Sequence, residues 1–147
     1  MQLAKKLEIS LFIIRITSGL FFLVWSAEKI FRVESAQNVF SQFYFLNVSP
    51  VVMIGIGIIQ AIIVFLFMTG IFKVWTYGIL LGIHSVSTLA SYKQLLNPYE
   101  ESNPLFWAAV PTLAALIALF LLRKEDNLFV FSGNQQKDKN PDLERIR

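Results

Sequence analysis

The chain contains no cysteine. That excludes a disulfide relay, a thiolate metal site and an iron–sulfur cluster. It also excludes an unaided role in passing electrons from thiols to quinones, which needs cysteines of the chain's own. Only one histidine is present, so a bis-histidine haem cannot form within one subunit. Charge is scarce: 16% of the 147 residues are charged, against about 25% in an average soluble domain. There is no phosphate loop, no nucleophile elbow and no zinc motif. Neither an internal repeat nor a soluble domain is visible.

What the chain has instead is apolar sequence, 55% hydrophobic, gathered in blocks rather than at amphipathic intervals. This predicts an all-α integral membrane protein of one domain. The organising stretch is Ile9–Phe31, long enough at about 1.5 Å per residue to cross a hydrocarbon layer of about 30 Å. Its length, and Arg15 within it, argue for a retained helix rather than a cleaved leader. Further runs predict spans at about 51–72, 74–92 and 105–122, after a first at about 9–30. The expected architecture is a four-helix membrane bundle. Gly70 and Lys73 mark a very short turn, so spans two and three should form an antiparallel hairpin. Pro111 falls inside the fourth span and predicts a kink there.

Residues 32–50 are too polar to span. Val33, Ala36, Phe40 and Phe43 recur at helical spacing, which predicts an amphipathic helix on the membrane surface. A hydrophobic mouth for a lipidic substrate is the alternative. Residues 1–8 form a short basic terminus. Residues 123–147 read as a flexible tail, with an apolar patch at Leu128–Phe131. Lys5, Lys6, Lys73, Arg123, Lys124, Lys137, Lys139, Arg145 and Arg147 fall on one side of a four-span arrangement, against Lys29, Arg32 and Lys93 on the other. The positive-inside rule then places both termini in the cytoplasm. The net charge of +3 follows from topology and anionic headgroups, and no nucleic-acid partner is expected.

Four side chains are candidate ligand contacts: Arg15, Lys29, Gln60 and His84. Arg15, Gly19, Phe22, Ser26 and Lys29 fall within about 40° of one helical stripe. An arginine at such depth costs about 2.5 kcal/mol or more unless it snorkels or finds partners. No acidic residue lies within spans two to four, so no buried carboxylate partner is evident for it. Arg15 is therefore either an anion or carbonyl binder or a structural group bonded to freed carbonyls and Gln60. Gln60 is the one strongly polar group near the middle of its run. Tyr77, His84 and Ser91 form a second polar stripe. His84 reads as a proton relay, a haem ligand or a quinone partner, or as a group whose hydrogen bond ties helices together. No second strong ligand stands one turn away from it, so no metal site is expected. Glu28 and Lys29 read as a charge pair at the membrane edge.

The spacing Arg15-x3-Gly19-x2-Phe22-x3-Ser26-x2-Lys29-x-Phe31 resembles the opening helix of the DoxX family of small four-span membrane proteins. Ser26 stands where the family usually has a second glycine, and Gln60 where many members carry glutamate. Pro50, Gly70 and Lys73 also fit the pattern. The resemblance implies a bacterial inner-membrane location and a subunit of, or accessory to, a quinone-linked redox complex, more often non-catalytic than an enzyme. Quinone is the one cofactor class it suggests. The residues themselves leave two alternatives open: a small transporter or lipid-binding protein, and an assembly partner without ligand. A homo-oligomer also stays open.

Overall fold

A computed structural model describes residues 2–100 and 103–131, and among these every regular element is helical. In chain order they are α1 (Leu3–Phe31), α2 (Val33–Tyr44), α3 (Pro50–Met68), α4 (Lys73–Ala90) and the short α5 (Tyr92–Leu96). A 3-10 helix (Asn103–Ala108) then runs into α6 (Ala109–Leu121). Among the described residues three helical stretches are long and apolar enough to cross a membrane: Leu3–Phe31, Pro50–Met68 and Asn103–Leu121. The intervening α4 is interrupted by Thr76, Tyr77, His84, Ser85, Ser87 and Thr88, whose hydroxyls and rings lower its apolar character.

Several boundaries differ from the sequence reading, each for a local reason. The second run stops at Met68 rather than at residue 72. Gly70 adopts φ 73, and Ile71 N–H bonds to Leu66 C=O at 3.0 Å, which closes the helix with a left-handed glycine. The third run ends at Ala90, and the chain re-enters a separate short helix after Ser91. Pro111 does not kink a helix from within. It sits in the first turn of α6, after a 3-10 segment that carries the chain from Asn103. A proline in a first helical turn surrenders an N–H that has no intrahelical partner, so the cost of an interior proline is avoided. The helix expected in residues 32–50 is present as α2, with Ala36 its buried residue.

The helices associate as two tight pairs, α1 with α3 and α4 with α6, joined by looser α3–α4 and α1–α6 contacts. The core that unites them consists of Leu11, Phe22, Val64, Phe67, Tyr77, Leu80, Leu116 and Leu119. Isoleucine, valine, leucine and aromatic side chains cover much of the outside, among them Val24, Ile59, Phe65, Trp75 and Leu89. Large apolar groups facing outward on every long helix suit a hydrocarbon surround and not water.

Glycine sets how near α1 and α3 come. A Cβ built on Gly57 would lie 2.8 Å from Ile30 Cγ1, 2.9 Å from Lys29 Cβ and 3.1 Å from the Ser26 carbonyl oxygen. Gly19 is covered in the same way by the Met68 side chain. Without strong hydrophobic exclusion between helices in lipid, such backbone proximity supplies the packing energy. Gly55 has open space around its missing side chain. Gly57→Leu should therefore unfold or separate α1 and α3, whereas Gly55→Leu should shift the unfolding midpoint little. Unfolding in mild detergent by tryptophan fluorescence checks this, and equal effects of the two would contradict the packing described.

Candidate functional site

The most charged place inside the protein lies at the end of the helices that carries α1's start. Arg15 has no solvent exposure, and neither has Asp126, which follows α6 by a few residues. Arg15 Nη1 stands 2.8 Å from Asp126 Oδ2, an ion pair without hydrogen-bond alignment at that nitrogen. The Tyr77 hydroxyl donates to the same carboxylate oxygen at 2.7 Å. Arg15 Nη2 donates to the Leu128 carbonyl at 2.6 Å and more weakly to that of Phe129 at 3.4 Å. The guanidinium carbon also lies 5.5 Å from the centre of the Phe12 ring. Arg15 Nε and Asp126 Oδ1 have no hydrogen-bond partner.

A strap of residues after α6 makes these contacts possible. Lys73 at the start of α4 donates to the Asp126 carbonyl at 2.5 Å and to Asn127 Oδ1 at 3.3 Å. Phe131 N–H bonds to the Thr69 carbonyl at 3.0 Å, and Phe129 stacks near Phe12 at 5.3 Å. Val130 presses on Gly70. The chain from Arg123 to Phe131 is thus folded against α1 and the α3–α4 turn, where the sequence reading placed the start of a loose tail. Residues 132–147 lie outside the described residues. Two sequence expectations about Arg15 are corrected together. Its partner is a carboxylate of this chain, because Asp126 folds back from beyond the last helix, and it does not bond to Gln60.

Gln60 and His84 meet at a different level, around Phe22. Gln60 Nε2 donates to the Phe22 carbonyl at 3.3 Å. His84 Nε2 lies 3.0 Å from the Ala109 carbonyl and therefore carries the proton there, since a carbonyl only accepts. Its ring meets Phe21 and Phe22 edge-on, at 5.6 and 5.9 Å. Lys29 is farther along α1, donating to the Trp25 carbonyl at 3.2 Å with its ammonium 6.0 Å from the Phe40 ring. It does not pair with Glu28, whose carboxylate accepts from Ser35 Oγ at 2.8 Å.

The four candidates therefore occupy three levels and line no common cavity among the described residues. Arg15, Gln60 and His84 are each spent on contacts within the chain. A lateral cleft of about 320 Å³ opens between α1 and α6, lined by Ile14, Thr17, Ser18, Phe21, Pro111, Thr112 and Ala115. Thr17 and Thr112 turn their hydroxyls back to carbonyls of their own helices, leaving a mainly apolar wall.

Asp126, Tyr77 and Lys73 are the residues that surround Arg15, and only Tyr77 belonged to a polar stripe visible beforehand. The sequence around Asp126 offers only a weak signal, a carboxylate two residues before the apolar Leu128–Phe131. Removing one member of a buried ion pair strands the other charge, at a cost of about 3–5 kcal/mol, while an apolar pair of similar volume is often tolerated. Arg15→Leu or Asp126→Leu alone should lower stability by about that amount, and the two together by clearly less. Denaturant titration in detergent micelles checks this double-mutant cycle, and additive losses would refute the coupling.

Comparisons with protein-family models, with curated proteins and with solved structures each found no match to this chain.

Proposed function

We propose that the chain is a DoxX-like protein of the bacterial inner membrane. On this reading α1, α3, α4 and the stretch through α6 form a four-span bundle with both termini cytoplasmic. The protein acts as a non-catalytic subunit of, or accessory to, a quinone-linked redox complex. The observation that carries the non-catalytic part is the engagement of Arg15 by Asp126, Tyr77 and the Leu128 carbonyl. A guanidinium already neutralised and fully buried has no vacant charge to offer a substrate anion. The redox and quinone parts rest on the motif from Arg15 to Phe31 and its likeness to the family. The outward apolar faces of α1, α3 and α4 supply surfaces for lipid or a membrane subunit.

A second reading, a membrane protein that binds a hydrophobic ligand, is favoured by the cleft between α1 and α6. Its volume is at the low end for a small-molecule site, its walls are mainly apolar, and Phe21 connects it to the His84 ring. A quinone ring or an apolar tail fits that chemistry better than a charged solute does.

One experiment separates the two readings. The full-length protein is isolated in mild detergent from its native membrane, and proteins, quinones and lipids are identified together. The subunit reading expects a redox-active membrane protein at fixed stoichiometry, retained when Ala115→Leu fills the cleft. The ligand reading expects bound quinone or lipid without such a partner, lost on Ala115→Leu at unchanged protein level. Recovery of neither a redox partner nor a bound hydrophobic molecule refutes both.

A further inference from the structure

At the other end of α1 from Arg15, a shallow cleft of about 400 Å³ is lined by Val24, Trp25, Ala27, Glu28, Phe31 and Arg32. All six belong to the last turns of α1 and the residue that caps it. Helical geometry divides them into a floor, Val24 and Glu28, and two walls, Ala27 with Phe31 and Trp25 with Arg32. Val24 and Phe31 are largely exposed, so the apolar part of the cleft opens outward.

The polar part holds both signs of charge one helical turn apart, and they are not spent on each other. Among the described residues the only ion pair is that of Arg15 with Asp126. Glu28 is half-buried and uses one carboxylate oxygen for Ser35 Oγ, while no donor among the described residues reaches the other. Arg32 is exposed, and its guanidinium makes no hydrogen bond among these residues. The Trp25 indole N–H, on the same wall, likewise has no acceptor there, unlike that of Trp107, which bonds to the Leu95 carbonyl. Lys29, the other nearby cation, is turned to the Trp25 carbonyl and the Phe40 ring.

An apolar groove that ends in a separated carboxylate and guanidinium matches a molecule with the same order of parts. We infer that this cleft seats one phospholipid whose headgroup carries both a phosphate and a primary ammonium. The phosphate takes the Arg32 guanidinium and the Trp25 N–H, in the charge-assisted geometry that favours arginine for phosphate. The ammonium donates to the free oxygen of Glu28. The acyl chain runs from Val24 toward the earlier turns of α1, and Phe31 flanks the headgroup. Glu28 is the discriminating residue, because a headgroup with phosphate and no cation would set its negative charge beside the carboxylate without compensation. The inference needs α1 to cross the bilayer and is independent of any redox partner.

The test uses full-length protein in nanodiscs of equal phosphatidylethanolamine and phosphatidylglycerol, with retained lipid counted by native mass spectrometry. The wild type should keep the ethanolamine lipid over the glycerol lipid by about threefold to fivefold, the upper range for an exposed charge pair. Glu28→Gln should abolish the preference without lowering total retained lipid. Arg32→Gln should lower retention of both lipids, and Arg123→Gln at the opposite end should change neither. Retention of phosphatidylcholine by the wild type gives a check free of any variant, since its headgroup has no N–H to donate and should be held less well. No preference in the wild type, an unchanged preference in Glu28→Gln, or the same effect from Arg123→Gln would overturn the site.

Discussion

A charge that cannot reach water must be neutralised where it sits, and in this protein that requirement falls on Arg15. Its side chain is long enough to snorkel from a position near a membrane edge. Instead it points inward, with no exposed surface, and the rest of the chain supplies what water would have. Asp126 brings the opposite charge, Tyr77 a hydroxyl to share that carboxylate, and the backbone beyond α6 two carbonyls. With Arg15 on α1, Tyr77 on α4 and the others after α6, one electrostatic demand fastens three distant parts of the sequence. The short turn at Gly70 completes the arrangement by letting Val130 and Phe131 settle against it.

Packing does the remaining work unevenly. On the α1–α3 side, Gly57 and Gly19 bring backbone and side chains within contact distances that no larger residue could share. On the α1–α6 side, Phe21, Ile14 and Pro111 leave a lateral opening. Internal polar groups follow the same division. Gln60 fastens α3 to the Phe22 carbonyl of α1, and His84 fastens α4 to the start of α6 at Ala109. Each links the members of a tight pair, which explains why neither faces a shared interior pocket.

The sequence announced the apolar helices because their signal is local: runs of Ile, Leu, Val and Phe need no partner to be recognised. It announced the α2 helix and the turn at Gly70 for the same reason. The inward direction of Arg15 was legible too, since Gly19 and Ser26 share its stripe. Its partner was not. Asp126 stands in the run Arg123–Asp126, where two cations followed by two carboxylates after a hydrophobic helix ordinarily mean a solvated end. Only the return of the chain over α1 makes it a buried counterion, and that return depends on tertiary contacts with Thr69, Lys73 and Phe12. Pro111 misled in a related way. Its effect depends on where the α-helix begins, and the 3-10 segment before Ala109 moves that beginning downstream.

The order of residues along the chain gives the Arg15–Asp126 contact a meaning for biogenesis. The ribosome makes the cation in α1, and its counterion only after α2 to α6 have been made. Until then the nascent protein holds Arg15 without its ion-pair partner. The contact that fastens α1 to the segment after α6 is thus among the last to become available during synthesis.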